Sequence, residues 1–209
     1  MPLANPDQIT MEKTPAYFQF ANIPELIYKM NPKIKLLLVI RNPVIRAVSS
    51  FTEYLAKYRI KYDPDNYDNS SRKFEEKVFK TTGKVNANSG HIKYGIYAFH
   101  LKPWLKYFSF DQLLIVDGEK MIVDPYNVLV KVEKFLNLKP HFKKENYVFN
   151  QEKGFFCIKD EKFDKPKCES DSKGRKHPFV AKEVLDKLYK FYEPFDKQLF
   201  KLLKQEPFW

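Results

Sequence analysis

The hydrophobic positions along the chain fall into short blocks of two kinds. Ile34-Lys35-Leu36-Leu37-Leu38-Val39-Ile40-Arg41 is a nearly continuous apolar run of strand length, with Asn31-Pro32 before it and Asn42-Pro43 after it. Such a run, bounded by turn signals on both sides, predicts a fully buried parallel strand. Pro43 suits the first turn of a following helix. Val44, Ala47, Val48, Phe51, Tyr54, Leu55 and Tyr58 then recur at helical spacing to about residue 60, so the pattern predicts a strand–turn–helix unit.

The same reading extends in both directions. Residues 1–18 contain Pro2, Pro6 and Pro15 and read as extended or irregular. Residues 23–30 predict a short helix with Pro24 in its first turn. Residues 61–72 read as a polar loop, 72–80 as a modest helix and 81–92 as a polar stretch. An amphipathic helix is predicted over 93–108, kinked or broken by Pro103. Gln112 to Val116 predicts a second buried strand ended by Asp117-Gly118, and Pro125 to Leu136 a helix with one apolar face. Tyr147-Val148-Phe149 and Phe155-Phe156-Cys157 can pair as a hairpin around Gly154. A basic loop, Lys173-Gly174-Arg175-Lys176-His177-Pro178, opens a last helix over about 179–204. Two buried strands with helices between them predict an α/β protein with a parallel sheet, too few strands to make an open sheet alone.

Composition narrows the classes. The chain has 209 residues with 44% hydrophobic and 16% aromatic positions, which fits one domain with a real core and argues against disorder. No apolar run approaches the roughly 18 residues of a membrane-spanning helix. Met1 to Pro6 has neither a basic nor an apolar leader region, so either the protein is cytosolic or something upstream is missing. Lys+Arg 37 against Asp+Glu 26 gives a net charge of +11, which attracts nucleic acid, an acidic membrane or an acidic polysaccharide without choosing among them. No G-x-x-x-x-G-K-[ST] loop is present and the basic residues are dispersed, which disfavours a P-loop kinase and a nucleic-acid-binding module.

Three constellations carry candidate chemistry. Arg41 stands at the carboxyl end of a strand, where α/β sheets place ligands, and its guanidinium can fork onto a phosphate. Ser49, two turns into the helix, can donate to the same group; alternatively Arg41 pairs with a carboxylate and Ser49 packs within the helix. The loop Lys173 to His177 precedes a helix and offers cations and free N–H groups to an anion, or is simply a solvated basic loop. In Met11-Glu12-Lys13-Thr14-Pro15, Lys13 can stabilise charge in an active site or form a surface ion pair with Glu12. Cys157 and Cys168 are either a disulfide, worth about 2–3 kcal/mol by loop-closure entropy, or two unrelated thiols. The His and Cys spacing does not suit a zinc site, and no metal is expected.

The order of these motifs resembles the heparan sulfate glucosamine 3-O-sulfotransferases, closest to the type 1-like soluble domains. Glu12-Lys13-Thr14-Pro15-Ala16-Tyr17-Phe18, Arg41 to Ser49, Gly95-Ile96-Tyr97 with Trp104-Leu105, and Val116-Asp117-Gly118-Glu119 carry it through the first part of the chain. Phe135-Leu136-Asn137-Leu138, Gly154-Phe155-Phe156-Cys157, Lys173-Gly174-Arg175 and Phe208-Trp209 carry it to the end. The resemblance implies a P-loop-NTPase-like α/β fold, its parallel sheet flanked by helices. It also implies transfer of a sulfuryl group from 3′-phosphoadenosine 5′-phosphosulfate (PAPS) to the 3-hydroxyl of glucosamine in heparan sulfate or heparin. By that resemblance Arg41 and Ser49 hold the donor's 3′-phosphate. Lys173, Gly174, Arg175, Lys176 and His177 wrap the same nucleotide, and Phe156 lies against it. Lys13 stands beside the reacting centre, Glu12, Lys13 and Thr14 touch the polysaccharide, and Cys157 pairs with Cys168. A monomer in the Golgi lumen or outside the cell is implied, and Asn69-Ser70-Ser71 is a glycosylation triplet of the kind found there.

Three differences from the family are visible. Asn42 stands where the family usually has Asp, and Phe51 where it usually has Tyr, each expected to lose a polar partner. The family's Lys/Gly/Thr-rich phosphosulfate loop and its catalytic glutamate have no counterpart, and Glu12 matches a different family position. Residues 1–209 therefore read as one sulfotransferase domain without its N-terminal strand–loop–helix part, with little or no activity expected in isolation. A non-catalytic polyanion-binding protein is the alternative.

Overall fold

The computed structural model describes residues 5, 8–62, 71–159, 165–168, 175 and 177–209. A 3-10 turn, Pro15–Gln19, follows the irregular start; Pro15 blocks a long helix but suits a first turn, which the reading of 1–18 as irregular overlooked. Next come α1 (Ile23–Met30), β1 (Leu36–Ile40) and α2 (Pro43–Tyr62), then α3 (Ser71–Val78), α4 (Gly90–Lys93) and α5 (Tyr97–Trp104). The remainder is β2 (Leu113–Asp117), α6 (Gly118–Val123), α7 (Pro125–Leu136), β3 (Tyr147–Asn150), β4 (Phe155–Ile158) and α8 (Lys182–Leu203).

The sheet is parallel, as the apolar runs imply, with Leu36 opposite Leu113 and Ile40 opposite Asp117. It differs from expectation in burial. Leu36 and Leu38 turn towards the core, but Leu37 is 38% and Val39 54% exposed. The strand thus alternates, one face covered and the other open, because the described residues build a sheet of only β1 and β2.

The predicted helix over 93–108 is also divided. The break lies at Tyr94-Gly95, between α4 and α5, while Pro103 is absorbed in the last turn of α5. Tight packing explains the position: a Cβ on Gly95 would lie 2.9 Å from the Tyr192 hydroxyl and 3.1 Å from Pro43 Cβ. No helix was expected at α6, where Asp117 ends β2 and at once caps the next turn. Its Oδ1 accepts from the Glu119 and Lys120 N–H groups, both at 2.9 Å.

Two apolar clusters hold the elements. The first packs Val44, Ala47, Val48, Phe51 and Leu55 of α2 against Phe74, Ile92, Leu188 and Tyr192. The second joins Ile40, Leu101, Trp104, Phe108 and Leu113 to Leu199, Phe200 and Leu203. Helix α8 serves both, its first half on α2 and its second beneath the sheet. Each fully buried Leu or Phe contributes about 1.5–3 kcal/mol of transfer free energy, so this one helix fixes the strand–turn–helix unit to the sheet.

Candidate active site around Arg41

Arg41 leaves β1 at its carboxyl end, and the parallel register sets it beside Gly118 and Glu119 at the end of β2. The side chain is held there at three points. Its backbone N–H donates to the Tyr97 hydroxyl at 3.4 Å. Its stem crosses Gly118, where a Cβ would lie 2.6 Å from Arg41 Cγ. Its Nε and Nη2 donate to Glu119 Oε1 and Oε2, both at 3.0 Å, in a parallel fork. Both side chains keep about a third of their surface in solvent, 29% for Arg41 and 31% for Glu119. The carboxylate pairing left open by the sequence is therefore present.

The turn after Arg41 is built by Asn42. Its Oδ1 accepts from the Val44 and Ile45 N–H groups at 3.0 and 3.2 Å, capping α2, and its amide donates to the Tyr189 hydroxyl at 3.4 Å. The expectation that Asn42 loses a polar partner is thus corrected: the amide oxygen caps a helix as a carboxylate would, without the charge. Phe51 lies in the core, 5.4 Å from the Phe74 ring and 5.8 Å from that of His91. Ser49 is half-buried on α2. Its neighbour Ser50 has Oγ 3.0 Å from His91 Nδ1, and Arg46 Nη2 donates to the His91 carbonyl.

His177, ahead of α8, senses the charge of Arg41. His177 is held below its ordinary value, first by partial burial and then by the Arg41 guanidinium, which sets the loop's end within electrostatic reach of the strand's end. Arg175 is half-buried nearby in sequence, while Lys173, Gly174 and Lys176 lie outside the described residues, as do Asn69 and Ser70 of the glycosylation triplet. Tyr97, which accepts from Arg41, is raised above its ordinary value by burial.

The hairpin of β3 and β4 pairs Phe149 with Phe156, their rings 5.3 Å apart and edge to face. Gly154 supplies the turn at φ 70°. Strand β4 also packs on α6, the helix that carries Glu119. Beyond it, Ile158 and Lys167 exchange both backbone hydrogen bonds. The next register pair is Cys157 and Cys168, joined as a disulfide with Cα atoms 4.4 Å apart, the close approach of a non-hydrogen-bonded antiparallel pair. The disulfide ties Cys168 to the hairpin, and His177, further along the chain, lies within electrostatic reach of Arg41.

Glu12, Lys13 and Thr14 lie before the 3-10 turn. Thr14 Oγ1 donates to Glu12, in place of the Glu12–Lys13 ion pair considered from the sequence, and Lys13 is exposed. Among the described residues no hydrogen bond or ion pair joins this segment to Arg41. Tyr97, Gly118 and Glu119 were visible only as parts of motifs. Gly118 and Glu119 are placed by the register of two strands separated by most of a hundred residues, and Tyr97 by α5; a carboxylate next to the end of the second apolar run was the one available sign.

A parallel strand pair of an α/β sheet thus ends in an arginine forked onto a carboxylate, at the carboxyl edge where such sheets place ligands. Residues 6–205 match the sulfotransferase domain family. The chain belongs to that family. This sulfotransferase chain is 41% identical, over 97% of its length, to heparan sulfate glucosamine 3-O-sulfotransferase 5 of Mus musculus. It is 39% identical over its full length to heparan sulfate glucosamine 3-O-sulfotransferase 3B1 of the same species. It spans 57% and 52% of those two proteins, about half the length of the curated relatives it matches. A sulfotransferase from Alicyclobacillus acidocaldarius shares the fold, with a TM-score of 0.60 at 19% identity, over 91% of this chain and 63% of that one.

Proposed function

We propose that this sulfotransferase chain serves the transfer of a sulfuryl group from PAPS to the 3-hydroxyl of a glucosamine unit in heparan sulfate. The observation that carries the reading is 36–41% identity, across nearly the whole chain, to proteins of that name. The donor set around Arg41 fits a nucleotide phosphate: a guanidinium with donors beyond those given to Glu119, Arg175 and His177 nearby in the chain, and the Phe156 ring on a neighbouring hairpin. On this reading Arg41 and Ser49 hold the 3′-phosphate, residues 173–177 close over the nucleotide, and Phe156 lies against it. A Golgi-luminal or secreted address accompanies the proposal and suits the disulfide.

The donor supplies an activated sulfur–oxygen bond. The acceptor's 3-oxygen forms a new bond to sulfur while the bond to the 5′-phosphate breaks, and the hydroxyl proton passes to a base. Lys13 provides positive charge beside the developing anion, and Glu12 and Thr14 contact the sugar. The family's glutamate base and phosphosulfate loop have no counterpart in these residues. We therefore expect the 209-residue chain to bind the nucleotide and the polysaccharide but to transfer little or no sulfuryl group, since proton removal and donor alignment both lack their groups.

Calorimetry with adenosine 3′,5′-bisphosphate tests the reading. Binding by the wild type and at least tenfold weaker binding by Arg41→Ala is the expected result, because a charged bidentate contact to phosphate is worth roughly 1.5–3 kcal/mol. A second reading, a polyanion-binding protein with no nucleotide site, draws on the net charge of +11. It predicts heparin binding without nucleotide binding, and that result would replace the first reading.

A further inference from the structure

Resting on that reading, we infer that Glu119 is a positioning residue for the anion site: it holds Arg41 by one edge so that the other edge faces the bound phosphate. The guanidinium has five N–H donors arranged on a rigid plane. Glu119 takes the edge formed by Nε and Nη2, at 3.0 Å on each arm. The edge formed by Nη1 and the second Nη2 hydrogen remains, and among the described residues it has no carboxylate partner. A phosphate can fork onto it without displacing Glu119.

Two further contacts show that this is a seat rather than a chance surface pair. The Arg41 stem can cross the end of β2 only because residue 118 has no side chain, since a Cβ there would meet Arg41 Cγ at 2.6 Å and the Ile40 carbonyl at 2.9 Å. The backbone that starts the side chain is fixed by the Tyr97 hydroxyl. Backbone, stem and head are each restrained by a different element: α5, the β2–α6 junction and α6 itself. The Glu119 backbone is in turn pinned by the Asp117 cap at 2.9 Å. An exposed arginine would lose its rotamer freedom when an anion binds; this one has given up much of it on folding.

The opposing possibility is that Glu119 competes with the anion for Arg41. Charge and geometry separate the two. Glu119→Asp keeps the charge but shortens the arm, so the fork is lost; Glu119→Gln keeps the length and removes the charge. Adenosine 3′,5′-bisphosphate binding is measured by calorimetry on the full 209-residue chain for wild type, both variants, Arg41→Ala and the Arg41→Ala/Glu119→Asp double variant. Heparin binding and thermal unfolding of each protein report whether it is folded.

A positioning role predicts that Glu119→Asp weakens nucleotide binding about three- to tenfold, the cost of immobilising one long side chain. It also predicts that Glu119→Gln binds no better than wild type, and that the double variant matches Arg41→Ala. Heparin binding stays unchanged throughout. Wild-type affinity in Glu119→Asp, tighter binding in Glu119→Gln, or a loss from Glu119→Asp that persists without Arg41 each overturns the inference while leaving the nucleotide reading intact. A folded wild type that binds no nucleotide removes the functional reading and this inference together.

Discussion

Trp209 Nε1 donates to Asp196 Oδ2 at 3.0 Å, yet burial pushes that carboxyl from its ordinary 3.8 up to about 6. The folded chain therefore binds a proton there more tightly than the unfolded chain does. Stability from this group is present below about pH 4, falls as pH rises towards 6 and stays lost above it. Asp196→Asn keeps an oxygen for Trp209 and removes the charge, so it is expected to exceed wild-type stability by up to about 3 kcal/mol at pH 7.5, an upper limit because the residue is only partly buried. The gap should close towards pH 4. Urea unfolding of both proteins across that range checks it, and equal stability at pH 7.5 would show that the carboxylate is well solvated. Nothing in the sequence marks Asp196, since its environment is made by the chain end folding back against Phe200 and Tyr97. Arg41, by contrast, was legible, because a cation ending an apolar run is placed by the strand itself. Glu119 was not, because its partner depends on strand register.

At the scale of elements, helices with a proline start and an apolar face were read closely: α1 and α7 fall on the predicted spans. Errors gathered where local pattern meets tertiary packing. The split between α4 and α5 follows from Tyr192 pressing on Gly95, and the open face of β1 from the absence of a covering layer among the described residues. The hairpin was legible from its aromatic pairs and Gly154, whereas the pairing of Cys157 with Cys168 came from family resemblance and is borne out by the geometry. That disulfide closes a short loop, and replacing both cysteines by alanine should cost about 2–3 kcal/mol. It should also weaken nucleotide binding, because the segment that brings His177 to Arg41 loses its tether. Denaturation midpoints with and without reductant, beside nucleotide titrations, measure both; a midpoint unmoved by reduction would deny the bridge any role in stability.

For the molecule as a whole, charge and site answer to different variables. A net charge of +11 spread over 37 cations gives a long-range attraction that salt screens. Heparin affinity should therefore fall steadily as sodium chloride rises from about 0.1 to 0.5 M, where the screening length shortens from roughly 10 Å to under 5 Å. Arg41→Ala, removing one cation of many, should move that curve little while removing most of the nucleotide binding. A salt-independent heparin affinity would mean that the polysaccharide is held by a few buried contacts instead.

The fork between Arg41 and Glu119 joins residues 78 positions apart. Helices form from near neighbours and can appear early, but this pair waits for two distant strands to align, and loop-closure entropy delays such events. The fork is thus absent from partly folded chains and from a transition state in which the strands are still apart. A ligand seated on it would leave the folding rate almost untouched and slow unfolding instead. On the proposed reading, the residue that orients the phosphate would also make the lifetime of the native sheet depend on whether the nucleotide is in place.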